Sequence, residues 1–304
     1  DTVSAAAADA FTFEGQRVGL PLQVSQVAWW YNKDLMSQAG IDVSQIKMWD
    51  DLLDAVKQIK AAGITPICMG GKDKWPVHFV WTHLHIRNGG KGLFLESLNN
   101  GGWDRPEYIR SGEQMLELVE LEPFQKGWLA ATWPDQAGFF GDGKCAMAFM
   151  GNWMYGAQAS NSASGEGLAD ANMGMFNMPM TSGGMGDSGD TLGGINGWLF
   201  SSTASDAAVE LMMHYVSLDI QKEDASNGAY IPIVKGADGS LTNPFLQQVA
   251  KNISNSEYHQ IFYDQFLGAD IGRVVNDVST DLAAGIISAE EATQAVQEAW
   301  EFNQ

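Results

Sequence analysis

Positive charge is what this sequence has least of. Seventeen Lys and Arg face thirty-seven Asp and Glu across 304 residues, a formal charge of −20. Such a surface repels phosphate backbones and anionic membranes at long range, so nucleic acid is excluded as an expected partner. Its ordinary reading is a soluble acidic exterior; an acidic groove for a cationic ligand is the second. Long apolar runs are also missing. No stretch of about 18 apolar residues occurs, so neither a transmembrane helix nor direct membrane insertion is expected. There is no basic, apolar leader, and an opening at Asp1-Thr2-Val3-Ser4 without Met is that of a processed, trimmed or truncated chain. Cysteine is nearly absent. Cys68 and Cys145 each sit in a strand-like run and would lie side by side in one sheet, either bonded in an oxidising compartment or as two buried thiols.

Signatures of chemistry are lacking too. His78, His83, His85, His214 and His259 fall into no metal-ligand spacing, so no metal is expected. Gly141-Asp142-Gly143-Lys144 lacks the remaining glycine and hydroxyl of a phosphate loop and reads as a tight turn. No Gly-x-Ser-x-Gly elbow is present. Catalytic residues and cofactors are therefore not expected, although the plentiful carboxylates leave a glycosidase-type pair open. No internal repeat emerges.

Aromatic residues, by contrast, are abundant, with 11 Trp and 14 Phe. The apolar run from Ala146 stops at Gly151-Asn152 and presents Trp153 at a strand's end, where open α/β sheets bind ligands. A second aromatic cluster, Trp75 to Trp81, follows the strand-like Ile64 to Met69 after a Gly70-Gly71 break. Amides and carboxylates recur at the turn edges: Gln26 with Trp29 and Trp30, Asp73 with Trp75, Asn152 with Trp153, Asn196 with Trp198, and Asp264 with Gln265. Such groups bond vicinal hydroxyls while a flat ring covers the C–H face of a sugar, so the set suits a neutral carbohydrate. Core packing is the competing reading for every Trp. It is preferred for Trp29, Trp30 and Trp198; Trp81 fits either; ligand stacking is preferred for Trp75 and Trp153.

After an alanine-rich opening at Ala5 to Ala10, Val24 to Tyr31 reads as a strand, Asn32-Lys33-Asp34 starts a helix ending at Gly40, and Asp50-Asp51 start another ending at Gly63. This alternation predicts an α/β fold with a mostly parallel sheet covered by helices. Further helices are expected over Glu107 to Leu121, Ala207 to Leu218 and Ala269 to Ala284, and a capping box at Ser288-Ala289-Glu290-Glu291 opens a last one. The glycine-rich Gly183 to Gly189 is the expected crossing between lobes.

Four ordered segments resemble a known family: Trp30-Tyr31-Asn32-Lys33-Asp34-Leu35; Trp49-Asp50-Asp51-Leu52-Leu53 through Gly63-Ile64-Thr65-Pro66-Ile67; Gly71-Lys72-Asp73-Lys74-Trp75-Pro76; and Phe140-Gly141-Asp142-Gly143-Lys144-Cys145-Ala146-Met147. With Ile231-Pro232-Ile233 and the segment from Leu282 to Ala292, they are similar to family 1 of the extracellular solute-binding proteins, the maltose-binding-protein-like sugar receptors of ATP-binding-cassette (ABC) importers. The resemblance implies a type II periplasmic-binding-protein fold: two lobes with a hinge that closes on a mono- or oligosaccharide, the N-terminal part of lobe 1 missing from this chain. It assigns residues 1–15 to an N-terminal segment, 16–185 to lobe 2, 190–255 to the remainder of lobe 1 and 256–304 to a return to lobe 2. It implies sugar contacts at Trp153, Trp75 and His78, backbone approach at Gly193 and Gly194, and a further cleft segment at Asp264 and Gln265. There, Ile271-Gly272-Arg273 replaces an aromatic residue of some relatives. Asp73, Asn196 and Gln26 complete the expected ligand set. The implied protein is a periplasmic or extracellular monomer, with a lipid anchor in a missing N-terminus as an option, that docks on the membrane subunits of an ABC permease. Rival readings are a receptor for a polyol, glycerol phosphoester or peptide, and a glycoside-active enzyme; only five Arg, none adjacent, disfavour a phosphoester.

Overall fold

A computed structural model describes every residue except 1, 2, 4–6, 9 and 14. Much of the alanine-rich opening, and so part of the expected segment 1–15, lies outside the described residues. The chain divides into two compact units: Asp1–Gln26 with Gly193–His259, and Val27–Leu192 with Gln260–Gln304. It passes from one to the other three times, each time within a strand. The sequence reading put residues 16–26 with the second lobe and the crossing at Gly183 to Gly189. The structure gives 16–26 to the first unit and crosses at 192/193 instead, because the chain changes unit inside hydrogen-bonded strands and not at the glycine-rich loop.

Two short strands, β1 (Thr12–Phe13) and β2 (Gln16–Arg17), form a hairpin before β3 (Gly19–Asn32). β3 is longer than the expected Val24 to Tyr31 and absorbs Pro21 through a register shift between Pro21 and Gln23. In the second unit its Val27–Asn32 half pairs antiparallel with β4 (Met147–Gly151), Val27 opposite Gly151 and Tyr31 opposite Met147, and with β5 (Met173–Phe176). In the first unit its Gly19–Gln26 half pairs antiparallel with β6 (Thr191–Leu199) and β7 (Ile231–Pro232). β8 (His259–Ile261) lies beside β6.

The expected mostly parallel sheet is therefore corrected. Every strand paired with β3 runs antiparallel to it, and parallel pairing is seen at bridges such as Ile67 with Met147 and with Phe124. Strand–helix alternation does not specify which strands become neighbours; β3 takes partners more than a hundred residues away. The strand expected at Ile64 to Met69 is reduced to such a bridge, Cys68 N donating to Met147 O at 2.9 Å and Met147 N to Pro66 O at 2.8 Å. Pro66 itself has no N–H to extend the ladder.

The helices follow their caps. Asn32 Oδ1 accepts from Asp34 N (2.9 Å) and Leu35 N (3.2 Å) to open α1 (Lys33–Gln38). Asp51 Oδ2 accepts from Met48 N at 2.8 Å at the head of α2 (Trp49–Ala61), whose Leu52, Leu53, Val56 and Ile59 are buried as their spacing demands. α3 (Trp75–Asn100) bends at Gly90, whose φ of +61° interrupts the helix. α4 (Pro106–Glu120), α5 (Trp133–Gly141) and α6 (Met154–Ser160) complete the first run of the second unit. In the first unit lie α7 (Asp206–Tyr215), α8 (Leu218–Ser226) and α9 (Pro244–Asn255). The chain then returns to the second unit with α10 (Tyr263–Phe266), α11 (Ala269–Ala283) and α12 (Ala289–Phe302), the last opened by the expected capping box, Ser288 Oγ to Glu291 N at 3.2 Å and Glu291 Oε2 to Ser288 N at 2.8 Å. Among the described residues no helix is long and apolar enough to cross a membrane.

Of the alternatives left open for the cysteines, the structure contains the disulfide: Cys68 and Cys145 are bonded, with Cα atoms 5.7 Å apart and 77 residues between them in sequence. Closing a loop of that size constrains the unfolded chain, so Cys68→Ala/Cys145→Ala is expected to lose about 2–4 kcal/mol. Urea unfolding of the two forms would measure it, and a difference below about 1 kcal/mol would contradict the expectation.

Candidate functional site

Of the helices in the second unit that start at a tryptophan, three bring their rings together. Trp75 is the first residue of α3, Trp133 the first of α5, and Trp153 the N-cap of α6, directly after β4. All three are half-buried. Their rings are neighbours: Trp75 lies 5.7 Å from Trp133 and 6.3 Å from Trp153, centroid to centroid. Beneath them, buried Phe79 sits 5.4 Å from Trp75 and 6.3 Å from Trp153, and is stacked at 4.6 Å on Phe262. A helix start is a favourable place for such a ring, because the backbone turns sharply there and leaves one ring face uncovered by the helix's own side chains. Gly151 is required for the arrangement, since any Cβ there would collide with the Trp153 ring.

The residue before Trp75 carries the strain of this turn. Lys74 has φ +62°, and among the described residues only Glu122 is another non-glycine residue at positive φ. Asp73, half-buried, accepts from Trp133 N through Oδ2 at 2.6 Å, tying the α3 turn to the start of α5. Beside it opens a cleft of about 560 Å³ lined by Asp73, Lys74, Asp264, Gly272, Arg273 and Asn276. Its two cations are both engaged by one carboxylate: Lys74 Nζ lies 2.6 Å from Asp277 Oδ1 and Arg273 Nη1 3.0 Å from Asp277 Oδ2. Asp73 and Asp264 leave the rim with an excess of negative charge.

Asp264 has a side chain 18% exposed, its Oδ2 accepting from Asn276 Nδ2 at 3.2 Å. His78 lies under the aromatic surface, fully buried, with Nε2 3.7 Å from Asp264 Oδ1. It is thus out of a ligand's reach at this surface, although the sequence reading gave it a sugar contact: every position of α3 from Pro76 to Gly90 is buried. Burial pulls its pKa below the ordinary value; Asp264, the Asn276 side chain and the Trp75 backbone oppose that pull. Gln265 is exposed on α10, next to Asp264.

The remaining expected residues belong to the first unit. Gln26 is buried opposite Gly193 in the β3–β6 ladder. Gly194 exchanges two hydrogen bonds with Ser25 Oγ, N donating at 3.1 Å and O accepting at 3.2 Å. A Cβ on Gly193 would collide with Ser25 O and come within 2.6 Å of the His259 ring, so this glycine is needed for packing within its own unit. Asn196 is exposed opposite Gln23.

Core packing accounts for Trp29, Trp30 and Trp81, all fully buried. Trp198, expected in the core, is instead 41% exposed, because beyond Gly194 the outer half of β6 carries Asn196, Trp198 and Leu199 at the surface. Trp133 was missed by sequence reasoning. Its signal is the dipeptide Trp133-Pro134, which repeats Trp75-Pro76, inside a capping box in which Thr132 Oγ1 accepts from Asp135 N at 3.3 Å. Among the described residues no cluster of His, Cys, Asp and Glu could hold a metal ion.

Comparison with known proteins identifies the family and the fold. A family model described as bacterial extracellular solute-binding protein matches residues 2–223. An uncharacterized ABC transporter extracellular-binding protein of Pyrococcus horikoshii is 29% identical over 146 residues, 47% of this chain and 33% of the relative. The sn-glycerol-3-phosphate-binding periplasmic protein of Shigella flexneri is 33% identical over 128 residues, 41% of this chain and 27% of the relative. The matched stretches thus span about a third or less of these relatives. A solved structure titled chitin oligosaccharide binding protein superposes with a TM-score of 0.87 at 23% identity, covering 99% of this chain and 75% of that one. That likeness shows the α/β periplasmic-binding-protein fold. Since the family model spans well over half of the sequence, the chain belongs to the bacterial extracellular solute-binding protein family.

Proposed function

We propose that this chain is part of an extracytoplasmic receptor that captures a mono- or oligosaccharide and delivers it to the membrane subunits of an ABC importer. The observation that carries the reading is the group of three half-buried tryptophans, Trp75, Trp133 and Trp153, edged by Asp73 and Asp264. Flat rings stack on the apolar faces of pyranose rings while carboxylates take hydroxyl hydrogen bonds, and no group here is poised as a nucleophile. Gln265 on the same unit, and Gln26, Gly193, Gly194 and Asn196 on the other, remain part of the proposed ligand set, with His78 supporting from beneath. The disulfide suits an oxidising, extracytoplasmic compartment.

The ligand for which the Shigella relative is named raises a second reading, a glycerol phosphoester. Lys74 and Arg273 would be its phosphate partners, but both are already held by Asp277, and Asp73 and Asp264 repel a dianion. A thermal-shift screen separates the two. Mono- to tetrasaccharides should raise the melting temperature and sn-glycerol-3-phosphate should not; the reverse result would replace the saccharide reading. Removing the Trp153 ring should then weaken saccharide binding at least tenfold, or about 1.4 kcal/mol, with the circular dichroism spectrum unchanged. Equal calorimetric affinity in Trp153→Ala would refute the stacking role. Release of reducing ends from a bound oligosaccharide would instead identify an enzyme.

A further inference from the structure

We propose that His78, although buried, is the positioning residue that orients the Asp264 carboxylate toward a ligand hydroxyl. This rests on the saccharide reading above and assigns His78 a role from beneath the binding surface.

Four features converge on Asp264. Its backbone is clamped by Gly272 on α11, where any Cβ would collide with the Asp264 carbonyl oxygen. One helical turn further along the same face of α11, Asn276 Nδ2 donates to Oδ2 at 3.2 Å. On the other side, the His78 imidazole presents Nε2 to Oδ1 at 3.7 Å, held in place by the rings of Phe79 at 4.8 Å and Phe262 at 6.3 Å. Finally, the side chain keeps only 18% of its surface exposed, so one narrow face is left for a partner from solvent. A surface carboxylate that merely solvates the protein has no need of a fully buried imidazole, an amide and a glycine clamp.

The imidazole is incomplete as it stands. His78 Nδ1, His78 Nε2 and Asp264 Oδ1 close no hydrogen bond of normal geometry among the described residues, and burying such groups unpaired is costly. The Nε2–Oδ1 separation exceeds an ordinary N–H···O contact by about 0.8 Å, the kind of gap that tightens when a ligand draws the site together. Which proton the ring carries decides whether it can help. A neutral imidazole has one N–H. With the proton on Nε2 the ring donates toward the carboxylate; with the proton on Nδ1 a lone pair would face a full negative charge. Lone pair against charge is worse than a lost contact to a neutral backbone group, so the Nε2–H tautomer is assigned.

The first test needs no ligand. Long-range ¹H–¹⁵N correlation of the His78 ring at neutral pH is expected to show the Nε2–H tautomer in the wild type and a shift of population toward Nδ1–H in Asp264→Asn. An Nδ1–H ring in the wild type, or identical spectra in both, would overturn the proposal. The second test is calorimetry with maltose, xylobiose, laminaribiose and N,N′-diacetylchitobiose. Whichever binds the wild type should bind His78→Phe at least tenfold more weakly, and His78→Gln, whose amide N–H reaches the place of Nε2–H, should recover most of that loss. Unchanged affinity in His78→Phe would overturn the role even with the expected tautomer. Binding of none of these sugars by the wild type would count against the saccharide reading, while the tautomer measurement would still judge the positioning of Asp264.

Discussion

Arg87→Ala is expected to lose about 4 kcal/mol of stability, as removal of one partner from a buried charged network does. Arg87 is fully buried on α3, one turn before the bend at Gly90. Its guanidinium reaches five backbone carbonyls: Nε to Met178 O (3.2 Å) and Pro179 O (3.3 Å), Nη1 to Asp187 O (2.7 Å) and Asp190 O (3.0 Å), and Nη2 to Met178 O (3.0 Å) and Ser188 O (3.4 Å). Burial lowers its pKa to about 10, against the pull of Asp190 and Asp187, so it stays charged at neutral pH. Without it several carbonyls of 178–190 are left unpaired, at about 1–3 kcal/mol each before relaxation. The glycines of that segment are matched to the same contact: a Cβ on Gly184 or Gly186 would collide with the carbonyl oxygen of Arg87 or Ile86. Lysine keeps the charge but not the planar fork, so Arg87→Lys should recover less than half of the loss. Urea unfolding followed by tryptophan fluorescence reads both variants; a loss below about 1 kcal/mol for Arg87→Ala would show that the loop holds itself.

Acidification is expected to remove a comparable amount through imidazoles that fold in the neutral form. His85 is buried between Trp81 and Tyr108, both 4.5 Å away, and burial lowers its pKa from 6.5 to about 3. The folded value lies below the unfolded one, so this contribution is complete above pH 6.5 and is lost as pH falls toward 3. The unfolded chain takes up a proton there that the folded chain refuses. At about 1.4 kcal/mol per pH unit, His85 alone removes on the order of 2–3 kcal/mol by pH 4.5. His83 acts in the same direction, its pKa held well below the ordinary value first by burial and then by Arg87. The net charge of −20 works the other way, since protonating surface carboxylates relieves their mutual repulsion. The difference between wild type and His85→Phe separates the two effects. Between pH 6 and 4.5 the variant's stability should fall less steeply, by close to one proton's worth of slope; parallel curves would sink the assignment.

How far the residues could be read depended on the range of the interaction each one makes. Caps and periodicities act within four residues, and Asn32, Gly63 and the Ser288–Glu291 box stand where they were expected to start or stop a helix. Trp75 and Trp153 were legible for the same reason, as rings next to Gly and Pro breaks at element ends. Trp133 was equally local and was overlooked although it repeats the Trp-Pro pattern. His78 was misjudged because it follows the surface ring of Trp75 by three residues, whereas its burial is set by Phe262 and Asp264, nearly two hundred residues away. Trp198 was misjudged in the opposite sense, since strand propensity says nothing of whether a second layer covers the strand.

By itself, then, the order of the amino acids settled the α/β class, the caps that start several helices, the strong net negative charge, and a family likeness carried by short contiguous strings. Tertiary structure alone decided that β3 pairs antiparallel with its neighbours, that the chain changes unit inside strands, that three rings from helix starts far apart in sequence become one surface, and that a buried arginine gathers the glycine-rich segment. The physical reason is one of range: backbone caps and side-chain periodicity are satisfied within a turn or two, while ring contacts, guanidinium–carbonyl bonds and sheet register are chosen among many distant partners, and only close packing of the folded chain makes that choice.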